Sequence, residues 1–214
     1  MADGLVVEGL TRRYGGLTAL REVSFEAAAG RITALIGPNG AGKTTAFNCI
    51  TGLDRPDAGR IRLAGVQLDG RPPHAIAALG VARTFQTLQV FTTLSVLDNV
   101  VVAAERAGRR RAAGAGGAEA TARRCLEAVG LEALAGRPAR ALAFGEQRRL
   151  EVARALALSP RLLLLDEPAS GLAREEVAAL AALLGRLRAE GLTVLLVEHD
   201  VATVMAVADH VVVL

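Results

Sequence analysis

The segment Gly37-Pro38-Asn39-Gly40-Ala41-Gly42-Lys43-Thr44 constrains this chain more than any other, because it follows the apolar run Ile32–Ile36 and opens a helical pattern. A glycine-rich turn between a strand and a helix, ending in Lys-Thr, lets successive backbone N–H groups face one point and sets a lysine beside them. The helix beginning near Gly42 adds the positive end of its dipole. Such a loop suits the phosphates of a nucleotide: Lys43 is expected at the β- and γ-phosphates, Thr44 at Mg²⁺ and Thr45 at the α-phosphate. Lys43 is also the single lysine among 214 residues, whereas 24 arginines supply the remaining positive charge. A guanidinium is a planar fork and an ammonium a compact point charge, so the two do not interchange in a tight pocket.

The length fits one large α/β domain, or a core with one insertion. With 51% hydrophobic but only 3% aromatic residues, leucine, valine and alanine must build the interior. The formal charge is +3 and the basic residues are mostly dispersed, so a nucleic-acid partner is not expected. Cys49 and Cys125 fall in different helical segments without metal-ligand spacing, which reads as two reduced thiols. Met1-Ala2-Asp3-Gly4 does not open an apolar signal region. No apolar run reaches the roughly 18–20 residues that cross a bilayer.

Strand patterns fall at Leu5–Leu10, Val23–Ala27, Ile32–Ile36, Arg60–Leu63, Val81–Phe85, Leu162–Leu165, Thr193–Val197 and Val211–Leu214. The short, continuously apolar runs at 162–165 and 193–197 are those of strands covered on both faces. Helical patterns start at Gly42 and span Val96–Arg106, Ala118–Val129, Glu146–Leu158 and Arg174–Glu190. The last carries Val177, Leu180, Ala181, Leu184 and Leu187 on one face and ends at Gly191. The alternation predicts a parallel-rich core sheet with a helical insertion at about 87–138. Within the insertion, Gly108–Gly117 is low-complexity and is expected to be a surface loop.

A second element is Leu162-Leu163-Leu164-Leu165-Asp166-Glu167. Asp166 emerges at the carboxyl end of a buried strand, where open α/β sheets place ligands, and can hold Mg²⁺ through water. Glu167, one residue further, can act as general base towards an attacking water. Together with the phosphate loop upstream, these residues predict ATP hydrolysis.

Between the two lies Leu142-Ala143-Phe144-Gly145-Glu146-Gln147, followed by a helical stretch to Leu156. This order resembles the ATP-binding cassette (ABC) ATPases, whose L-S-G-G-Q signature opens a helix shortly before the acidic strand. The resemblance covers essentially the whole chain. It implies an α/β P-loop NTPase fold of the ABC type, with a parallel-rich core sheet, an N-terminal antiparallel β subdomain and an inserted helical subdomain. Residues 1–214 would form one nucleotide-binding domain, with the signature helix at 146–158. The resemblance further implies two such domains packed head to tail around two Mg·ATP, each ATP between one domain's phosphate loop (Gly37, Pro38, Asn39, Gly40, Ala41, Gly42, Lys43, Thr44, Thr45) and the other's Ala143, Gly145 and Glu146. Tyr14 matches the aromatic that stacks on adenine. Gln86 matches the glutamine that links Mg²⁺ and the attacking water to a transmembrane permease, and His199 the histidine that holds the γ-phosphate and Glu167.

Within that family, Ala143–Glu151, Tyr14-Gly15-Gly16-Leu17, Phe47–Gly52, Arg83-Thr84-Phe85-Gln86 and Glu167–Leu172 resemble the ATP-binding subunits of branched-chain amino-acid importers. Those act at the cytoplasmic face of the membrane, with permease subunits and, indirectly, an extracytoplasmic substrate-binding protein. The permease is expected in a groove around Thr87–Leu97, with Phe91 exposed. Urea, amides or lipopolysaccharide as cargo remain open, as do a soluble ABC ATPase acting on DNA or ribosomes and a P-loop kinase. Three positions depart from the family. Ala143 and Phe144 replace the signature serine and first glycine, and loss of a phosphate-bonding hydroxyl costs about 1.5–3 kcal/mol. Ala173 stands where an aspartate or asparagine is expected, so hydrolysis is expected to be slower than with Asp there. The sequence stops at Leu214 inside a strand, where family members continue with further helices; a truncated chain is the expectation.

Overall fold

The computed structural model describes residues 4–108 and 117–214. Most of the Gly108–Gly117 stretch, expected above to be a surface loop, lies outside the described residues. Along the chain run β1 (Leu5–Tyr14), β2 (Leu17–Ala27), β3 (Ile32–Ile36), α1 (Lys43–Thr51), β4 (Ala58–Leu63), β5 (Val66–Gln67), α2 (Pro73–Ala78) and β6 (Val81–Arg83). Then follow α3 (Val96–Gly108), α4 (Gly117–Ala128), α5 (Phe144–Leu156), β7 (Leu162–Asp166), α6 (Arg174–Ala189), β8 (Thr193–Val197), α7 (Val201–Val207) and β9 (His210–Val213). The chain divides into two compact units. The first runs to Arg83 and adds Arg161–Glu167 and Leu184–Leu214; the second holds Thr84–Pro160 and Pro168–Leu183.

The first unit contains an antiparallel sheet in the order β2-β1-β4-β5 and a parallel one in the order β6-β7-β8-β3-β9. Every residue of β7 and β8 is buried, as continuously apolar strands require. One apolar cluster joins the two sheets: Leu5, Leu10 and Ile61 from the antiparallel sheet, Leu35, Leu164 and Leu195 from the parallel one, and Phe47 and Ile50 from α1. This α/β arrangement of a parallel core and an N-terminal antiparallel sheet is the one the sequence leads to.

Several boundaries differ from the sequence reading. The first hairpin is longer than expected, β1 reaching Tyr14 and β2 starting at Leu17. Gly15, with φ of +57°, supplies the tight two-residue turn, so Tyr14 stands at the hairpin tip. Polar residues such as Arg12, Arg13 and Arg21 dilute the alternation there without preventing pairing. The expected strand Val81–Phe85 stops at Arg83, where pairing with β7 ends. Helix α5 begins at Phe144 rather than Glu146, because the Glu146 carboxylate accepts the Ala143 N–H at 2.8 Å and so occupies the third helical position.

In the second unit α3, α4 and α5 bury Val96, Val100, Ala104, Ala122, Leu126 and Leu150. Asn99, on the same face of α3, is fully buried as well. Its amide donates to the carbonyls of Phe91 and Ser95 and accepts the Phe91 N–H, so a polar side chain ties the incoming loop to the helix.

Candidate active site

The loop after β3 turns on glycines that no other residue could replace at low cost. Gly42, the residue before α1, has φ of +96°, and a Cβ there would stand 2.5 Å from the Ala19 carbonyl oxygen and from Leu20. α1 then starts at Lys43 and buries Ala46, Phe47 and Ile50, which anchors the loop to the sheet. Lys43 is only 7% exposed. Its ammonium donates to the carbonyls of Gly37 at 2.7 Å and Pro38 at 2.9 Å, so the cation is folded over the loop. Pro38, Asn39, Gly40 and Thr44 are exposed; Gly37, Ala41, Gly42 and Thr45 are half-buried.

Strands β7, β8 and β3 are parallel neighbours, so their carboxyl ends share one edge of the sheet. That edge carries the phosphate loop, Asp166 with Glu167, and Glu198 with His199. Glu167 has φ of +50°, a conformation costing a non-glycine residue of order 1–3 kcal/mol, and its N–H is tied to the Val197 carbonyl at 2.9 Å. His199 Nδ1 lies 3.8 Å from Glu167 Oε1, with the imidazole largely open to solvent. Asp200 caps α7 by accepting the N–H and hydroxyl of Thr203, and those bonds hold its carboxyl below the ordinary aspartate range. The start of α7 is thereby fixed directly behind His199.

Asp166 is buried, and sequence reasoning missed its partner. Arg83, at the end of β6, donates Nη2 to Asp166 Oδ2 at 2.7 Å and Nη1 to Asn48 Oδ1 at 2.8 Å. The guanidinium also lies 5.4 Å from the centre of the Phe47 ring. Asn48 in turn donates to Asp54 Oδ2, which accepts the Tyr14 hydroxyl at 2.6 Å. A continuous chain of polar contacts therefore runs from Tyr14 through α1 to Asp166. Burial and then the bond to Asp54 push the Tyr14 phenol above its ordinary value, while the Tyr14 hydroxyl holds the Asp54 carboxyl below its own. Tyr14 is 41% exposed, and one face of its ring is covered by the Arg12 guanidinium at 4.5 Å. The only hint of this network in the sequence was the segment Arg83–Gln86, whose arginine the reading left without a role.

The second unit holds Gln86, Ala143, Gly145 and Glu146. Gln86 is exposed, and its carbonyl accepts a bond from Arg148. Ala143 and Ala173 precede α5 and α6, and neither has a side-chain oxygen to cap its helix. In both places the glutamate three residues on, Glu146 or Glu176, accepts the alanine's own N–H. At Gly145 a Cβ would overlap the Glu176 carboxylate, so any larger residue there requires that side chain to move. Phe144, at the first signature glycine, packs its ring against Gly171. Cys49 is buried and Cys125 half-buried; burial pushes both thiols up to about 11, which leaves them unreactive.

The Arg83–Asp166 pair has side chains 6% and 4% exposed, so removing one partner leaves a buried charge uncompensated. Arg83→Met is expected to lower unfolding stability by about 3–5 kcal/mol in urea titrations. The double variant Arg83→Met/Asp166→Leu is expected to regain most of that loss, because no charge is left buried.

Comparison with known proteins agrees with this geometry. The family model described as ABC transporter matches residues 20–170. The high-affinity branched-chain amino acid transport ATP-binding protein BraF of Pseudomonas aeruginosa is 45% identical, the alignment covering 98% of this chain and 87% of that protein. LivG of Escherichia coli, with the same description, is 42% identical over 97% of this chain and 86% of its own. The lipopolysaccharide export system ATP-binding protein LptB of Acidithiobacillus ferridurans is 35% identical over 98% and 86%. Among solved structures, the ADP conformation of MJ1267, an ATP-binding cassette of an ABC transporter, superposes with a TM-score of 0.88 at 30% identity, covering 99% of this chain and 87% of that one. The dimeric cassette MJ0796 gives 0.85 at 26% identity over 98% and 94%. The chain belongs to the ABC transporter family, as one of its ATP-binding ATPases.

Proposed function

We propose that this chain energises an ABC importer for branched-chain amino acids, working as one of two nucleotide-binding domains at the cytoplasmic face of the membrane. The observation that carries this reading is the 45% identity to BraF along nearly the full length. The lipopolysaccharide export relative, at 35%, supports that cargo less. No helix among the described residues is long and apolar enough to cross a membrane, and in this reading permease subunits supply the membrane spans. Its docking place would be the loop around Phe91, which is 46% exposed. An extracytoplasmic binding protein would deliver the cargo without touching this chain. Residues 1–214 act as one nucleotide-binding domain, with 87–138 as its helical insertion.

In this reading the N–H groups of Gly37–Thr44 and the Lys43 ammonium bind the β- and γ-phosphates of ATP, Thr45 reaches the α-phosphate, and Tyr14 stacks on adenine. The available donors fit Mg²⁺: the Thr44 hydroxyl is exposed at the first turn of α1, and the Asp166 carboxylate is fixed in place by Arg83, so the site offers hard oxygens to a hard cation. Bound there, Mg²⁺ would neutralise charge on the β- and γ-phosphate oxygens. Glu167 orients the attacking water and takes its proton as the γ-phosphate is transferred, and His199 holds Glu167 and the γ-phosphate in place. Gln86 would help hold the attacking water and Mg²⁺. Ala143, Gly145 and Glu146 at the start of α5 serve the ATP of the partner domain.

Glu167→Gln keeps the shape but loses the base. Its steady-state phosphate release is expected to fall at least about 100-fold while ATP still binds; an unchanged rate refutes the assignment. Permease and binding protein recovered with the tagged chain from native membranes identify the cargo. Recovery with components of a different cargo class overturns branched-chain amino acids while leaving the ATPase intact.

A further inference from the structure

Side chains of α5 capture the loop that carries Gln86. Arg148 donates to the carbonyls of Phe85 at 3.0 Å and Gln86 at 2.7 Å. One turn later Glu151 accepts the N–H of Gln89 at 2.6 Å and faces Arg148 at 3.4 Å. Arg154 donates to the Gln89 carbonyl and lays its guanidinium over the Phe91 ring, 4.7 Å from the centre. Positions 148, 151 and 154 lie three apart, so all three project from one side of α5. Arg148 and Glu151 are 8% and 6% exposed, an expensive place for two charges unless each is fully engaged. Burial raises the Glu151 carboxyl above its ordinary range, and the Gln89 N–H and the flanking arginines oppose that shift.

We propose that Arg148, Glu151 and Arg154 are positioning residues that bolt the Gln86 loop to the signature helix, so that Gln86 takes up its reactive orientation only when α5 does. Phe91 lies at one end of this bolt and Gly145 at the N-terminal end of the same helix. A displacement at the exposed Phe91 ring therefore reaches Gln86 and the signature through these side chains. The inference rests on the role proposed for Gln86.

The test combines amide exchange with steady-state kinetics on the whole chain. In Glu151→Ala the Gln89 amide is expected to exchange at least about tenfold faster, whereas amides inside α5 keep their protection. kcat for ATP is expected to fall about tenfold with KM within about twofold, since binding by the phosphate loop is untouched. Glu151→Gln, whose amide oxygen still accepts the Gln89 N–H, is expected to restore protection and most of kcat. In a Gln86→Ala background Glu151→Ala is expected to cost nothing further, because both changes act through one residue. Arg154→Met should reproduce the same pattern and serves if Glu151→Ala does not fold. Equal losses in the Gln86→Ala background, a change confined to KM, or wild-type exchange at Gln89 overturns the proposal. Gln86→Ala alone with wild-type kcat would instead refute the role of Gln86, and the exchange result would still decide whether these residues fix the loop.

Discussion

A loop that grips a triphosphate must aim its N–H groups and one compact cation at the same point, and here that demand falls on Lys43. Its ammonium is held by the carbonyls of Gly37 and Pro38, bonds worth about 1.5–3 kcal/mol each when the donor is charged. Such a loop stays in shape only on a rigid base. β3 provides it, paired on both sides by β8 and β9, and α1 pins the other end by burying Phe47 and Ile50. The same parallel pairing brings Asp166, Glu167 and His199 to the loop's edge of the sheet. The proposed phosphate grip, metal ligand and base thus share one structural cause.

Charge burial is the second organising theme. Asp166 is buried in a leucine-walled sheet, and Arg83 supplies the opposing charge while also reaching Asn48 on α1. In the second unit, Arg148 and Glu151 solve the same problem through loop carbonyls and each other. At the two helix starts that have lost their capping side chains, Glu146 and Glu176 secure the chain from the third helical position. Since alanine offers no oxygen at position 143, the N–H groups of the first turn of α5 face no competing side-chain acceptor from that residue. In the proposed reading those N–H groups would receive the partner's phosphate.

Strands β3 and β8 were legible to the residue, because an uninterrupted apolar run flanked by glycine or polar residues has few other uses. The amphipathic stripe of α6 and its terminal Gly191 were equally plain. The hairpin at Tyr14 was missed although Gly15-Gly16 signals a two-residue turn, because arginines on both strands mask the alternation. α2 and α7 are too short for a helical period to register, and only Pro72-Pro73 and Asp200 announce their starts. The placement of the glycine-rich loop, Asp166 and Glu167 at one edge of the sheet could be read from local chemistry. Arg83, Glu176 and the trio on α5 could not, since each acquires its meaning from a neighbour distant in sequence or from the backbone of a loop.

The central claim is that this site requires a point charge in a confined space. Equilibrium titration of ATP into the wild-type chain and Lys43→Arg, both shown to be folded by circular dichroism, tests it directly. In a protein that uses arginine everywhere else, the account predicts that this one arginine weakens ATP binding by at least about tenfold, or 1.4 kcal/mol. Equal affinity in the two proteins would contradict it.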